Sequence, residues 1–234
     1  MQQSPLDTKA AASVSEAIQS RRSVRAFLPT PVDVSVLKDI ITTASRAPSG
    51  TNIQPWHTHL ITGDTLAAVV KEVQSDFDTG APYSEERKYY PDKFVEPYLG
   101  RRRAVGWGLY NLLNIGKTDR EKMAAQHRRN FQFFDAPAAF VFTINRDLNV
   151  GSWLDYGMFL ENVMLLAREH GLHTCPQAAW CGYHSAMRRA MPIAEEDVVV
   201  CGMAIGYRDP DAPVNSFERE RVALDDHVKF LGFE

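Results

Sequence analysis

The stretch Val198 to Ile205, Val-Val-Val-Cys-Gly-Met-Ala-Ile, constrains the fold more than any other. It carries no charge and is β-branched at its start, the pattern of a strand buried on both faces at the centre of a sheet. Phe140 to Ile144 reads as a second buried strand, and His57 to Thr62 as a third, closed by Gly63-Asp64. Between them the apolar spacing is helical. Ser13 and Glu16 form a capping-box pattern ahead of Val14, Ala17 and Ile18. Asp33 is placed to cap a helix whose stripe is Leu37, Ile40, Ile41 and Ala44. Further helices are expected from Val105 through Leu113, from Asp119 to about Phe131, and from Tyr156 to Glu169, with Gly171 as the residue that ends the last. Strands and helices do not alternate as regular βαβ units, so the expected class is α+β rather than a doubly wound sheet.

Composition narrows the function more than the fold. The 234 residues can bury a full core without disulfides or metal, and we expect one domain over 1–234. Lys plus Arg is 26 against 29 for Asp plus Glu, a net charge of −3, which gives no general pull toward nucleic acid. Cys175, Cys181 and Cys201 are few and odd in number, as in a reducing compartment, and with no CxxC and scattered histidines no metal site is expected. Met1 to Ala12 lacks the basic start and apolar run of a secretion signal, and no stretch has the ~20 apolar residues that span a bilayer. The expected setting is cytoplasmic, with no nucleic acid and no membrane.

Two segments carry chemistry. Arg21-Arg22-Ser23-Val24-Arg25 sets three guanidiniums and a hydroxyl within five residues, a compact anion cradle; taken alone, such a run is commonly a solvated basic turn. Ala47-Pro48-Ser49-Gly50-Thr51-Asn52-Ile53-Gln54-Pro55-Trp56 is a stiff loop rich in small polar residues, able to hydrogen-bond a heterocycle edge; alone, it also serves as an ordinary helix-to-strand connection. Gly106-Trp107-Gly108 lacks the third glycine and the strand context of a dinucleotide fingerprint, and Ser49 and Ser185 lie in no nucleophile-elbow setting.

In their order and spacing, these two segments together with Gly202 to Tyr207 and the arm bearing Arg219 and Arg221 resemble the FMN-dependent nitroreductase family. The resemblance implies an α+β sandwich with a central mixed sheet flanked by helices, in an intertwined homodimer with two FMN sites at its interface. It implies Arg21 and Ser23, beside Arg22, at the phosphate and ribityl end of FMN, with Arg219 and Arg221 completing the phosphate site. It implies Arg25 near the pyrimidine edge, and Asn130 at the flavin edge. Pro48, Ser49, Gly50, Asn52 and Gln54 would come from the partner subunit, and Pro176, Gln177 and Ala178 would form the loop facing the flavin N5. Some family members carry Glu where Ala178 stands.

The implied function is NAD(P)H-dependent reduction of a nitroaromatic or quinone-like acceptor by alternating hydride transfer, with NADH or NADPH as donor. No side chain is expected as catalytic acid or base, since solvent can protonate the acceptor. Another reaction of the same family, a non-enzymatic flavin-binding protein and an anion-binding interaction module are the rival readings. The Tyr-, Pro- and charge-rich stretch at about 75–103 has no counterpart in the resemblance; it reads either as a solvated loop or as a lid over the site. The charged residues from about 207 to 234 read as a C-terminal arm.

Overall fold

The computed structural model describes residues 9–232. The reading of Met1 to Ala12 and the tip of the arm therefore fall partly outside the described residues. Four strands, β1 (His57–Thr62), β2 (Ala138–Asn145), β3 (His173–Gln177) and β4 (Asp197–Gly206), form one sheet in the order β1-β2-β4-β3. All three ladders are antiparallel. Parallel pairing enters at an isolated bridge between Ser23 and Thr174, where the chain after the first helix runs beside β3.

β4 is buried along its whole length, as the uncharged run Val198–Ile205 requires, with Asp197 buried at its start. Val198 and Val200 face one core while Val199 faces the other; Cys201, Met203 and Ile205 then return to the first. The alternation slips by one because the register opposite Phe142 and Thr143 jumps from Cys201 to Val199. That is a β-bulge, which sets two consecutive β4 residues on the same face.

Seven helices accompany the sheet among the described residues: α1 (Val14–Ser20), α2 (Val34–Ala44), α3 (Gly63–Asp78), α4 (Tyr98–Leu112), α5 (Arg120–Arg128), α6 (Val150–Glu169) and α7 (His184–Ala190). α2 and α6 pack over one face. Leu37 and Ile40 of α2 are sealed there, worth roughly 1.5–3 kcal/mol each by area. Tyr156, Phe159, Val163 and Ala167 of α6 point into the same core, while Val150, Leu154 and Met158 stand exposed on its other side. α3 and α7 cover the opposite face with Phe131, Phe133 and Trp180.

Several boundaries differ from the sequence expectation. Gly63-Asp64 closes β1 but also opens α3: Gly63 takes φ +52 and Thr62 is the cap residue. The expected excursion is shorter than 75–103, since 75–78 finish α3 and 98–103 open α4. In α1 only Ala17 of the expected stripe is sealed; Val14 and Ile18 lie at the surface. Its cap forms as read, with the Glu16 N–H donating to Ser13 Oγ at 3.2 Å, and Glu16 reaching back one residue further, to the Ala12 N–H at 2.7 Å. Among the described residues no helix is long and apolar enough to cross a membrane.

Candidate flavin site

After α1 the chain runs extended alongside β3, with the Val24 N–H on the Thr174 carbonyl at 3.0 Å. Val24 is buried, and Arg21, Ser23 and Arg25 alternate with it at the half-buried rim. The C-terminal arm comes to meet them. Its pin is Asn215, 5% exposed: the Arg25 N–H donates to Asn215 Oδ1 at 2.8 Å, and Asn215 Nδ2 donates to the Ala26 carbonyl at 2.8 Å. Four residues past this pin stands Arg219.

The arginines from the two ends of the chain converge. Burial, then the charges of Arg25, Arg22, Arg21 and Arg221, push Arg219 down to about 10. Arg21, Arg22, Arg219 and Arg221 line one cavity of about 410 Å³ with Ile18 and Glu218. The nearest carboxylate to Arg21 is Glu161 of α6, 3.6 Å from its Nε. Four arginines around one cavity, one of them lowered by burial and by its neighbours' charge, make a surface chemically suited to an anion, and a terminal phosphate of about two charges matches it. Cys175 lies beside this cluster, but burial holds its thiol up at about 11 against the opposite pull of Arg25 and Arg219, so it stays protonated at neutral pH.

A polar rim joins the cluster. Arg129 donates to the Arg25 carbonyl at 3.3 Å. Beside it, Gln177 Nε2 donates to the Asn130 carbonyl at 2.8 Å, while Gln177 Oε1 is buried with no hydrogen-bond partner. Pro176 is exposed at the end of β3, and Ala178 opens a short 3₁₀ turn. Asn130, Gln177 and the arginines thus occupy one neighbourhood.

The Pro48–Gln54 loop is elsewhere in the chain's own fold. Thr51, Asn52 and Gln54 take φ +50, +58 and +49, left-handed values that side chains rarely adopt. The Gln54 N–H donates to Ser49 Oγ at 3.0 Å, and Gln54 Nε2 to the Asn52 carbonyl at 3.2 Å. The loop is tied to α6 through the Gly50 N–H on Asp155 Oδ2 at 3.1 Å. Arg21 meets the same helix at Glu161, six residues on, which is about 9 Å further along the axis and about 120° around it. One chain therefore brings together Arg21, Arg22, Ser23, Arg25, Asn130, Pro176, Gln177, Ala178, Arg219 and Arg221, and sets Pro48, Ser49, Gly50, Asn52 and Gln54 on another face of α6.

The irregular stretch 79–97 is bolted at its start. A Cβ on Gly182 would stand 1.9 Å from Tyr83 Cε2, so any larger residue there would have to displace the Tyr83 ring. The Ser84 N–H donates to the Gly182 carbonyl at 3.1 Å. Glu86 is a hub, with Arg188 at 3.1 Å, Arg146 at 3.5 Å, His184 at 3.7 Å and the Val199 N–H at 3.3 Å. Beyond it the stretch is mostly exposed, and α4 buries none of its residues. Sequence reasoning missed Asn215, Asp155 and Glu86. Each is a lone polar residue whose partners are distant in the chain, and no local pattern marks it.

Comparison with known proteins places this geometry. A family model described as the nitroreductase family matches residues 18–207. The chain is 38% identical over 220 residues to a 4-nitrobenzoate reductase of Pseudomonas putida, covering 93% of this chain and 95% of that one. It is 39% identical, with a TM-score of 0.91, to the FMN- and NADPH-dependent nitroreductase NfnB from sphigopyxis sp. strain HMH, covering 94% of this chain and all of that one. It is 25% identical, with a TM-score of 0.89, to the FMN-dependent NfnB of Mycobacterium smegmatis solved with NADPH, covering 93% and 97%.

Proposed function

The chain belongs to the nitroreductase family, and from that premise we propose that it is an FMN-dependent oxidoreductase that uses NADH or NADPH to reduce a small nitroaromatic or quinone-like acceptor. The observation that carries the reading is the convergence of Arg21, Arg22, Arg219 and Arg221 on one cavity, where burial and the neighbouring arginines lower Arg219 and a bound phosphate would supply the opposite charge. FMN, when bound, supplies the centre that takes hydride from NAD(P)H and passes it to the acceptor.

The chain's residues place that centre. Arg21, Arg219 and Arg221 hold the phosphate, with Arg22 on the rim of the same cavity and Ser23 toward the ribityl chain. Arg25 sets positive charge near the pyrimidine edge, where negative charge gathers during turnover. Asn130, Pro176, Gln177 and Ala178 border the ring on the side of β3. The Pro48–Gln54 loop of a second copy closes the other side, so the active unit is a homodimer. An apolar stripe supports that assembly: Val150, Leu154 and Met158, at i, i+4 and i+8 on α6, are 83%, 71% and 36% exposed. The stretch 79–97 and α4 border the acceptor as a lid. The expected location is the cytoplasm.

The test is a visible spectrum of the purified protein, identification of the flavin released on denaturation, and stopped-flow reduction by NADH and NADPH followed by reoxidation with 4-nitrobenzoate. About one FMN per chain and acceptor-dependent turnover are expected. A colourless protein that takes up no FMN overturns the reading. A yellow protein that NAD(P)H does not reduce is a flavin carrier instead.

A further inference from the structure

The Ser49–His57 segment is held from beneath by consecutive residues of one core helix. Asp155, itself 8% exposed, accepts the Gly50 N–H at 3.1 Å. Tyr156, sealed in the core beside it, donates its hydroxyl to the His57 carbonyl at 2.8 Å. One turn on, Phe159 stacks on Trp56 with ring centroids 4.9 Å apart and planes 9° from parallel. The His57 ring is fixed in turn, with its Nδ1 2.7 Å from Asp197 Oδ2, which also accepts the Thr143 hydroxyl at 2.8 Å. Both ends of the segment are thus tied to rigid elements, and between the ties lie three left-handed residues. Such backbone persists only where its surroundings over-determine it. A carboxylate in an apolar core also needs a partner, and Asp155 finds one in a loop amide 105 positions away in sequence.

We propose that Asp155 and Tyr156 are positioning residues for the flavin site, holding the Ser49–His57 segment in its flavin-ready shape before any ligand arrives. The inference rests on the reading that this loop meets FMN across the dimer. The Gly50 N–H is consumed by Asp155 and the Gln54 N–H by Ser49, so the loop's shape is set internally. Asn52 and Gln54 stay exposed on it to meet a ligand. Preorganisation of this kind removes an ordering cost from binding.

The experiment uses full-length Asp155→Ala, Asp155→Asn and Tyr156→Phe beside the wild type. Two quantities are read on flavin-free protein: hydrogen exchange of the 49–57 amides, and the FMN dissociation constant from quenching of flavin fluorescence. Asp155→Ala is expected to speed exchange across the loop and weaken FMN binding about tenfold, the scale of a lost charge-assisted hydrogen bond. Asp155→Asn keeps an oxygen that can accept the Gly50 N–H, and should restore affinity to within about threefold of wild type. Tyr156→Phe, which keeps the buried ring, should weaken FMN about threefold; it and Asp155→Asn carry the test if Asp155→Ala does not fold. A loop that exchanges faster while FMN affinity holds overturns the proposal, as does an Asn variant no better than Ala. A wild type that binds no FMN overturns the functional reading itself, whereas a wild type that binds beside variants that bind equally well overturns the positioning role alone.

Discussion

The arginine cluster and the Pro48–Gln54 loop are complementary in what each lacks. In the cluster, burial and a gathering of like charges together pull one arginine down to about 10. In the loop, a disfavoured backbone is fully propped by partners within the same chain. The cluster therefore carries a surplus of positive charge that suits an anion, while the loop is finished by its own scaffold. A binding site can store its specificity as surplus charge or as prepaid order, and this fold uses each at a different place.

The comparison breaks most sharply at the phosphate. Arg21→Ala and Arg221→Ala should each weaken FMN binding about tenfold to a hundredfold, measured by fluorescence quenching. Arg25→Ala should cost less affinity but lower the flavin midpoint potential and slow reduction by NAD(P)H in pre-steady-state runs. If Arg25→Ala loses FMN as badly as Arg21→Ala and, when saturated, is reduced at the wild-type rate, the assignment of roles within the cluster is wrong.

The surplus charge should also be visible without flavin. Inorganic phosphate at about ten times its dissociation constant should stabilise the flavin-free wild type by about 1.4 kcal/mol. For a domain of this size that is a rise in melting temperature of about 3–6 °C. Arg219→Met should lose most of that gain, and Asp155→Ala should keep it. Equal phosphate responses from wild type and Arg219→Met would mean that the cluster does not act as one anion site.

The pH dependence of the cluster has a definite sign. Arg219 falls from 12.5 to about 10 on folding, so between those values the unfolded chain binds the extra proton. Stability from this group therefore rises with pH across that window, and the repulsion is fully present below about 10. The melting temperature of wild type relative to Arg219→Met should climb as pH passes about 10, while FMN affinity declines there. A difference that stays flat from pH 8 to 10.5 would remove the charge argument.

The smallest expected change separates the lid from both halves. Glu86→Gln loosens the hub to Arg146, Arg188 and His184. FMN affinity should stay within about twofold, while KM for the acceptor shifts more than kcat. A large loss of FMN from this variant would place the 79–97 stretch among the flavin-binding elements.

Much of this was legible in the residues. The limits of β1 match the sequence reading, and β2 and β4 exceed it by a residue or two at their ends, because an uncharged β-branched run has few alternatives. The cap and stripe of α2 follow from Asp33 and the 3.6-residue period. α3 was hidden because Gly63 serves two purposes, ending a strand and starting a helix. β3 was hidden because it is a short edge strand containing Pro176, which sheets tolerate at their edges. The site divides in the same way. Arg21 to Arg25 and Pro48 to Gln54 are contiguous and announce themselves. Asp155, Glu86 and Asn215 act over 105, 102 and 190 positions of chain respectively, and only folding brings their partners to them.

α4 has fifteen residues and seals none of them, and its closest fit is at Gly108, where a Cβ would stand 2.7 Å from Phe217. Most mutations are purged because they unfold the protein, and that filter is weak along a helix that holds up nothing. Sequence drift in α4 can therefore run far ahead of drift in α6, and if α4 borders the acceptor as proposed, that drift would remodel the acceptor's surroundings while the scaffold stays intact. The exception is position 108, where a side chain would have to displace the Phe217 ring, two residues before Arg219 on the C-terminal arm. A lineage descended from this chain should vary freely in its choice of acceptor, and should do so with glycine retained at that one contact.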